Sequence, residues 1–333
     1  MRSASVLLLA ALAAVLPGCG HPPPAGDATG AAPALTHVVL QTDWYAQPEH
    51  GGFYQAVVKG YYRAAGLDVE IRQGSPSTQP AQVLATGRAD FAIGSSNDVM
   101  TAAGRGIPFV MLGAFMQRDP QGIMFHHESG IRSFRDLDGR NIMAAPGAPF
   151  LDVLERLYHI HVSVTPLDFG MSRFLANPDF IQQCFVTNEP FYVRQHGAHA
   201  DVLLISDCGF SPYRVWFARR SFITEHPDIV RAFTAASIRG WQDYIAGDPA
   251  AANALIASLN PKMDPAFMDY SLRAMRSYRL VTGDPARGEA VGRIQRARIG
   301  LLLRQLNDIG LLDHPLSVDD VFDGRFLPAS AGP

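Results

Sequence analysis

The chain has 333 residues, 47% hydrophobic and 18% charged, with a formal net charge of −3. That length accommodates two packed lobes, and the composition excludes a disordered chain. No basic block is present, which leaves a nucleic-acid role without support.

The N-terminal residues read as a targeting segment. Arg2 supplies a positive start, "VLLLAALAAVL" (6–16) an apolar core and "LPGCG" (16–20) a small-residue end. This is the pattern of a secretory signal over residues 1–18, too short for a membrane span. Leu16-Pro17-Gly18-Cys19 resembles the bacterial lipobox, in which the cysteine is lipidated and becomes the new N-terminus. Two outcomes are open: a lipoprotein anchored through Cys19, or a soluble exported protein cut near Gly20. Each buried acyl CH₂ contributes about 0.8 kcal/mol, so several chains would hold the protein at a membrane. Residues 19–36 then form the lipidated cysteine and a Pro/Gly/Ala-rich tether. Cys184 and Cys208 remain, either as a disulfide or as buried free thiols.

Strands and helices alternate from residue 37 onward. "HVVLQTD" (37–43) reads as a buried strand, 52–66 as a helix stopped by Gly66, and "LDVEIR" (67–72) as a half-buried strand. A short helix at 78–88, a strand at 89–95, a helix from Asn97 and a strand at 107–115 follow. The pattern restarts with a strand at 122–127, a turn capped by Ser133, a strand at 141–145 and a helix at 148–160. Further strands fall at 162–169, 183–187 and 201–206. After "YRVWFAR" (213–219) the chain turns helical: 226–247, then helices from Pro249 and Pro265, and a long one over 288–310. Two α/β units with a helical tail imply parallel or mixed sheets in two lobes. Ligands of such sheets sit beyond the C-terminal strand ends. "DWYAQPEHGGFY" (43–54), crowded with rings and hydrogen-bonding groups, occupies such an end and reads as cleft lining.

"DWYAQPEHGGFYQAVVKGYYRAAGLDVEI" resembles the opening of the THI5/NMT1-like branch of periplasmic solute-binding proteins. "VLATGRADFAIG" (83–94), "SFRDLDGRNI", "VTNEPF" (186–191) and the helices from "HPDIVRAF" resemble later elements of that family, in family order. The resemblance covers roughly residues 37–260. It implies an α/β, type II periplasmic-binding-protein fold: two lobes, a ligand cleft and a helical C-terminal tail. Residues 37–125 plus 208–333 would form lobe 1 and 126–207 lobe 2, with crossings near 125–128 and 206–213. It further implies a monomeric, extracytoplasmic binding protein that passes a small molecule to an ABC permease, without cofactor or catalysis.

The resemblance carries a ligand-stacking role to Trp44, which would otherwise be a core tryptophan. It carries a ligand-donor or loop-supporting role to His50. Glu189 would read an aminopyrimidine edge, or merely suit the helix dipole. Tyr54, four residues after His50, would share its helical face. Ser95, Ser96 and Asn97 offer hydroxyls and free N–H groups, or plain N-caps. Phe115 and Tyr213 would give the opposite ring face or belong to the core. Gln47 replaces the family asparagine and Ala46 its proline, which reshapes the loop and leaves the ligand open.

A thiamine-pyrimidine-like ring heads the candidates, with a flavin precursor or a sulfonate- or nitrate-like anion as alternatives. An anion site calls for a cleft arginine, such as Arg118 or Arg214, and no unpaired glutamate. Eukaryotic members make the pyrimidine with a Cys-rich iron motif and a lysine-held pyridoxal cofactor. This sequence has three cysteines in all, and Lys59 lies in a helix, so synthase activity is not expected. A free-standing relative of a sensor domain is a further alternative. "HH" (126–127) and "HIH" (159–161) lack acids or cysteines at metal spacing and read as surface histidines.

Overall fold

The computed structural model describes residues 34–328. The leader, Cys19 and most of the tether lie outside the described residues. Within them, ten strands form two five-stranded mixed sheets. The first has the order β2-β1-β3-β10-β4, from β1 (Thr36–Gln41), β2 (Leu67–Arg72), β3 (Phe91–Ser95), β4 (Phe109–Met116) and β10 (Arg214–Arg219). The second has the order β7-β6-β8-β5-β9, from β5 (Gln121–His126), β6 (Asn141–Ala144), β7 (Ser163–Pro166), β8 (Ile181–Phe185) and β9 (Ala200–Leu204). In each sheet four strands run in one direction and one runs against them: β10, the last strand, between β3 and β4, and β5, the first strand of its sheet, between β8 and β9.

β5 pairs with β8 and β9, so the chain leaves the first lobe at 117–120, before β5 rather than after it. The expected boundary at 125/126 is therefore misplaced by one strand. Both β4 and β5 are buried apolar runs, and "QRDP" between them is the only polar break. The return passes through 205–213.

The expected helix 52–66 divides into Gly51–Val58 and Tyr61–Ala64, because Gly60 adopts φ +70°. The expected helix 288–310 shrinks to Arg296–Asp308. Its first residues are drawn onto the sheet instead: Gly292, at φ +86°, exchanges backbone hydrogen bonds with Ala114 of β4 at 2.8 and 3.2 Å. Cys184 and Cys208 are buried free thiols. No helix among the described residues is long and apolar enough to cross a membrane.

The helix Gly51–Val58, which carries the chain away from the cleft loop, lies against the long helix Pro227–Ala246. Glycines permit that contact. A Cβ at Gly52 would fall 2.1 Å from the Trp241 ring and 2.6 Å from its Cα. One at Gly240 would fall 2.3 Å from the Gly52 carbonyl oxygen. The paired glycines of "EHGGFY" thus serve helix packing, with Phe53 buried between Phe115, Trp216 and Trp241. Gly52→Ala is expected to destabilise the protein by about 3 kcal/mol through overpacking. Urea unfolding would show a lowered midpoint at unchanged slope.

Candidate functional site

Segments at the C-terminal ends of β1, β4, β7 and β8, together with the start of β10, line a cavity of about 180 Å³ between the two sheets. The loop after β1 supplies most of the first-lobe wall. Its shape is held from behind. The Trp44 carbonyl accepts from Thr42 Oγ1 at 2.7 Å and from the Gly74 N–H at 2.9 Å. The Ala46 N–H donates to Gln73 Oε1 at 2.8 Å, and its carbonyl accepts from Asn260 Nδ2 at 2.9 Å. Pro48 opens a 3-10 turn, Pro48–His50, that runs directly into the helix at Gly51.

An ion cluster sets the electrostatics. Arg214 pairs with Asp43, whose other carboxylate oxygen lies 3.1 Å from His50 Nε2. Burial raises the Asp43 carboxyl, but Arg214 and His50 outweigh burial and hold it well below the usual carboxylate range. Two further acids face the cavity. Glu49 is buried, and burial raises its carboxyl against a 2.5 Å hydrogen bond from Thr187 Oγ1. Glu189 starts the helix Glu189–Gln195, and its Oε2 accepts from the Phe185 N–H at 2.7 Å. Burial pushes its carboxyl up to about 7. The one cavity-lining guanidinium is already matched by Asp43, so the charged surface left over is acidic, beside the amides of Gln47, Gln183 and Asn188.

Aromatic groups come from both lobes. The Trp44 and Phe169 rings meet across the rim with centroids 5.2 Å apart and planes 40° from parallel. Phe169 is 58% exposed and holds φ +60°, a left-handed conformation uncommon for a bulky residue. Phe185 lies under the Arg214 guanidinium at 5.8 Å.

Of the sequence candidates, Trp44, Gln47, His50, Phe115 and Glu189 line this cavity. Phe115 does so as floor, stacked on Trp241 at 5.3 Å. Tyr54, Ser95, Ser96, Asn97 and Tyr213 are not in its wall. His50 belongs to the 3-10 turn rather than the helix, so the four-residue spacing does not bring Tyr54 to its face, and Tyr54 enters the core. Ser95 caps the helix Ser96–Gly104, accepting from the Asn97 N–H at 3.3 Å, and Ser96 Oγ accepts from the Tyr213 N–H at 3.1 Å. Tyr213 is buried beneath the Arg298 guanidinium, 3.8 Å away. Asn188 makes no side-chain cap and lines the cavity instead.

Asp43, Glu49, Phe169 and Phe185 join the wall unforeseen as ligand-facing groups, and Arg214, named as the possible arginine of an anion site, lines it too. Asp43 and Glu49 adjoin Trp44 and His50 in the ring-rich loop, which was a usable signal. Phe169 had only a short "LDFG" loop to mark it. Arg118 bonds Ser206 and Asp207 on the other face of the crossings, outside the cavity. His126, expected at the surface, is buried against Phe174 at 4.1 Å and hydrogen-bonded to its carbonyl at 2.7 Å.

Asp43→Asn removes the carboxylate paired with the buried Arg214, an expected loss of about 3 kcal/mol in chemical unfolding. Asp43→Asn with Arg214→Met is expected to recover part of it. Glu189 binds its proton more tightly folded, at about 7, than at the ordinary 4.5. Its contribution to stability is full below about 4.5 and disappears as pH rises through about 7. Glu189→Gln should remove about 2 kcal/mol of this pH slope, allowing for partial exposure, in unfolding compared at pH 4 and 8.

Residues 47–252 match the family model described as NMT1/THI5 like. The chain is 24% identical over 236 residues to a formylaminopyrimidine-binding protein of Halalkalibacterium halodurans, covering 68% of this chain and 71% of that one. It is 28% identical over 253 residues to the riboflavin-binding protein RibY of Chloroflexus aurantiacus, covering 72% of each. A 4-amino-5-hydroxymethyl-2-methylpyrimidine phosphate synthase of Aspergillus parasiticus is 23% identical over 246 residues, covering 68% of this chain and 71% of that one. Among solved structures, the periplasmic aliphatic sulphonate binding protein SsuA of Escherichia coli superposes with a TM-score of 0.65 at 13% identity, covering 90% of this chain and 96% of that one. The two mixed sheets, the cavity between their strand ends and the sequence match converge: the chain has a periplasmic-binding-protein fold and belongs to the NMT1/THI5-like family.

Proposed function

We propose that this chain is the solute-binding component of an ABC importer. It works outside the cytoplasm, held to a membrane through lipid on Cys19, and captures a small heteroaromatic ring by lobe closure. The observation that carries this reading is the cavity wall itself. Trp44 and Phe169 offer ring faces from opposite lobes, and Glu49 and Glu189 offer acceptors beside them. A flat ring with N–H donors satisfies both kinds of group.

Size and charge sort the alternatives. About 180 Å³ lies below the roughly 300–1,000 Å³ of pockets for drug-sized ligands, which favours a single substituted pyrimidine over a tricyclic flavin. Arg214 would suit a sulfonate, but Asp43 already neutralises it, and two acids stand in the same wall. Binding rather than synthesis is favoured by the three cysteines of the whole sequence, too few for a Cys-rich iron motif.

Mass spectrometry of the co-purified small molecule, followed by calorimetry with pyrimidine, flavin and alkanesulfonate candidates, tests the reading. Trp44→Ala is expected to weaken a stacked pyrimidine by tenfold or more, roughly the lost stacking plus burial. Unchanged affinity in that variant would remove stacking from the account.

A further inference from the structure

We propose that Glu49 is a second ligand-binding acid, presented by the first lobe, and that Glu49 and Glu189 together select a ring carrying N–H donors on two edges. The inference rests on the heteroaromatic reading above and narrows its chemistry.

Glu49 is the middle residue of the turn Pro48–His50 and is 3% exposed, yet it lines the cavity. Its Oε1 accepts from Thr187 Oγ1, a group of the opposite lobe. Its Oε2 is buried and has no hydrogen-bond partner. A buried carboxyl oxygen without a donor is costly, and a native chain tolerates it where another molecule completes the bond. The nearby guanidinium and one imidazole nitrogen are committed elsewhere, and His50 Nδ1 is buried without a partner. Arg214 and His50 Nε2 both point to Asp43. Nothing else in the cavity wall carries a positive charge.

Glu189 stands on the second lobe and spends Oε2 on the Phe185 N–H, leaving Oε1 for the cavity. A guest in the cavity therefore meets one carboxyl group from each lobe. A ring with a single donor edge satisfies one of them and leaves the other buried and unpaired. A ring with donors on two edges satisfies both, and a proton on a ring nitrogen would offset their combined charge. An anion meets repulsion from either acid once it is ionised. Thr187 fixes the Glu49 carboxyl by its hydrogen bond, so the acid is oriented only when the lobes are together.

The test is calorimetry with 2,4-diaminopyrimidine and 4-aminopyrimidine on the wild-type chain, Glu49→Gln and Glu189→Gln. The wild type is expected to prefer the diamine roughly tenfold, the value of one charge-assisted hydrogen bond. Glu49→Gln should erase most of that preference, and Glu189→Gln should weaken both probes. Should Glu49→Gln fail a thermal-melting check of folding, Glu49→Asp withdraws the carboxylate by one methylene and should reduce the preference in the same direction. A preference unchanged by these Glu49 variants would overturn the inference while leaving the heteroaromatic reading intact. Failure of both pyrimidines to bind the wild type would overturn the two together.

Discussion

Arg214 is the constraint around which the cleft is built. A guanidinium at the inner end of a central strand cannot stay buried without a matching anion. Asp43 supplies it from the loop after β1, and His50 steadies the same carboxylate from the next turn. Asp98 and Asp119 add their field; burial raises both carboxyls, and Arg214 draws them back down. One ion cluster thus ties the first βα loop to the strand on which the chain returns from the second lobe. The pairing also decides what is left over. With its cation consumed, the cavity presents acids, amides and ring faces.

Much of the architecture was legible from residue 37 onward. The period-two and period-three-to-four patterns marked the alternation of strands and helices, and the ring-rich loop stood out because it interrupts both. Trp44, Gln47 and His50 reach the cavity because they belong to that contiguous stretch. What escaped was non-local. Arg214 lies 171 residues from Asp43, and nothing in "YRVWFAR" announces the pairing. Phe169 approaches Trp44 only because the second lobe folds over the first. Tyr54 misses the cavity for a subtler reason: His50 belongs to a 3-10 turn, so helical spacing does not relate the two residues. Ser95 and Ser96 show that a polar cluster after a strand is consumed by capping and backbone bonding when the helix follows at once.

The lobes also meet away from the cavity. The helix Glu189–Gln195 sets Phe191 and Tyr192 against Phe267 at 5.4 and 5.5 Å. Tyr270 Oη donates to the Val186 carbonyl at 2.8 Å. These contacts join the second lobe to the helical tail of the first. They place the Glu189 helix start by packing, so its carboxyl group is directed by apolar contacts as well as by the Phe185 N–H.

The Trp44–Phe169 contact bears on timing. Rings 5.2 Å apart and tilted leave no slot for a third between them, so one must swing aside before a planar guest can slip in. Uptake would then be paced by that swing, and its observed rate would level off with rising guest concentration instead of climbing without limit.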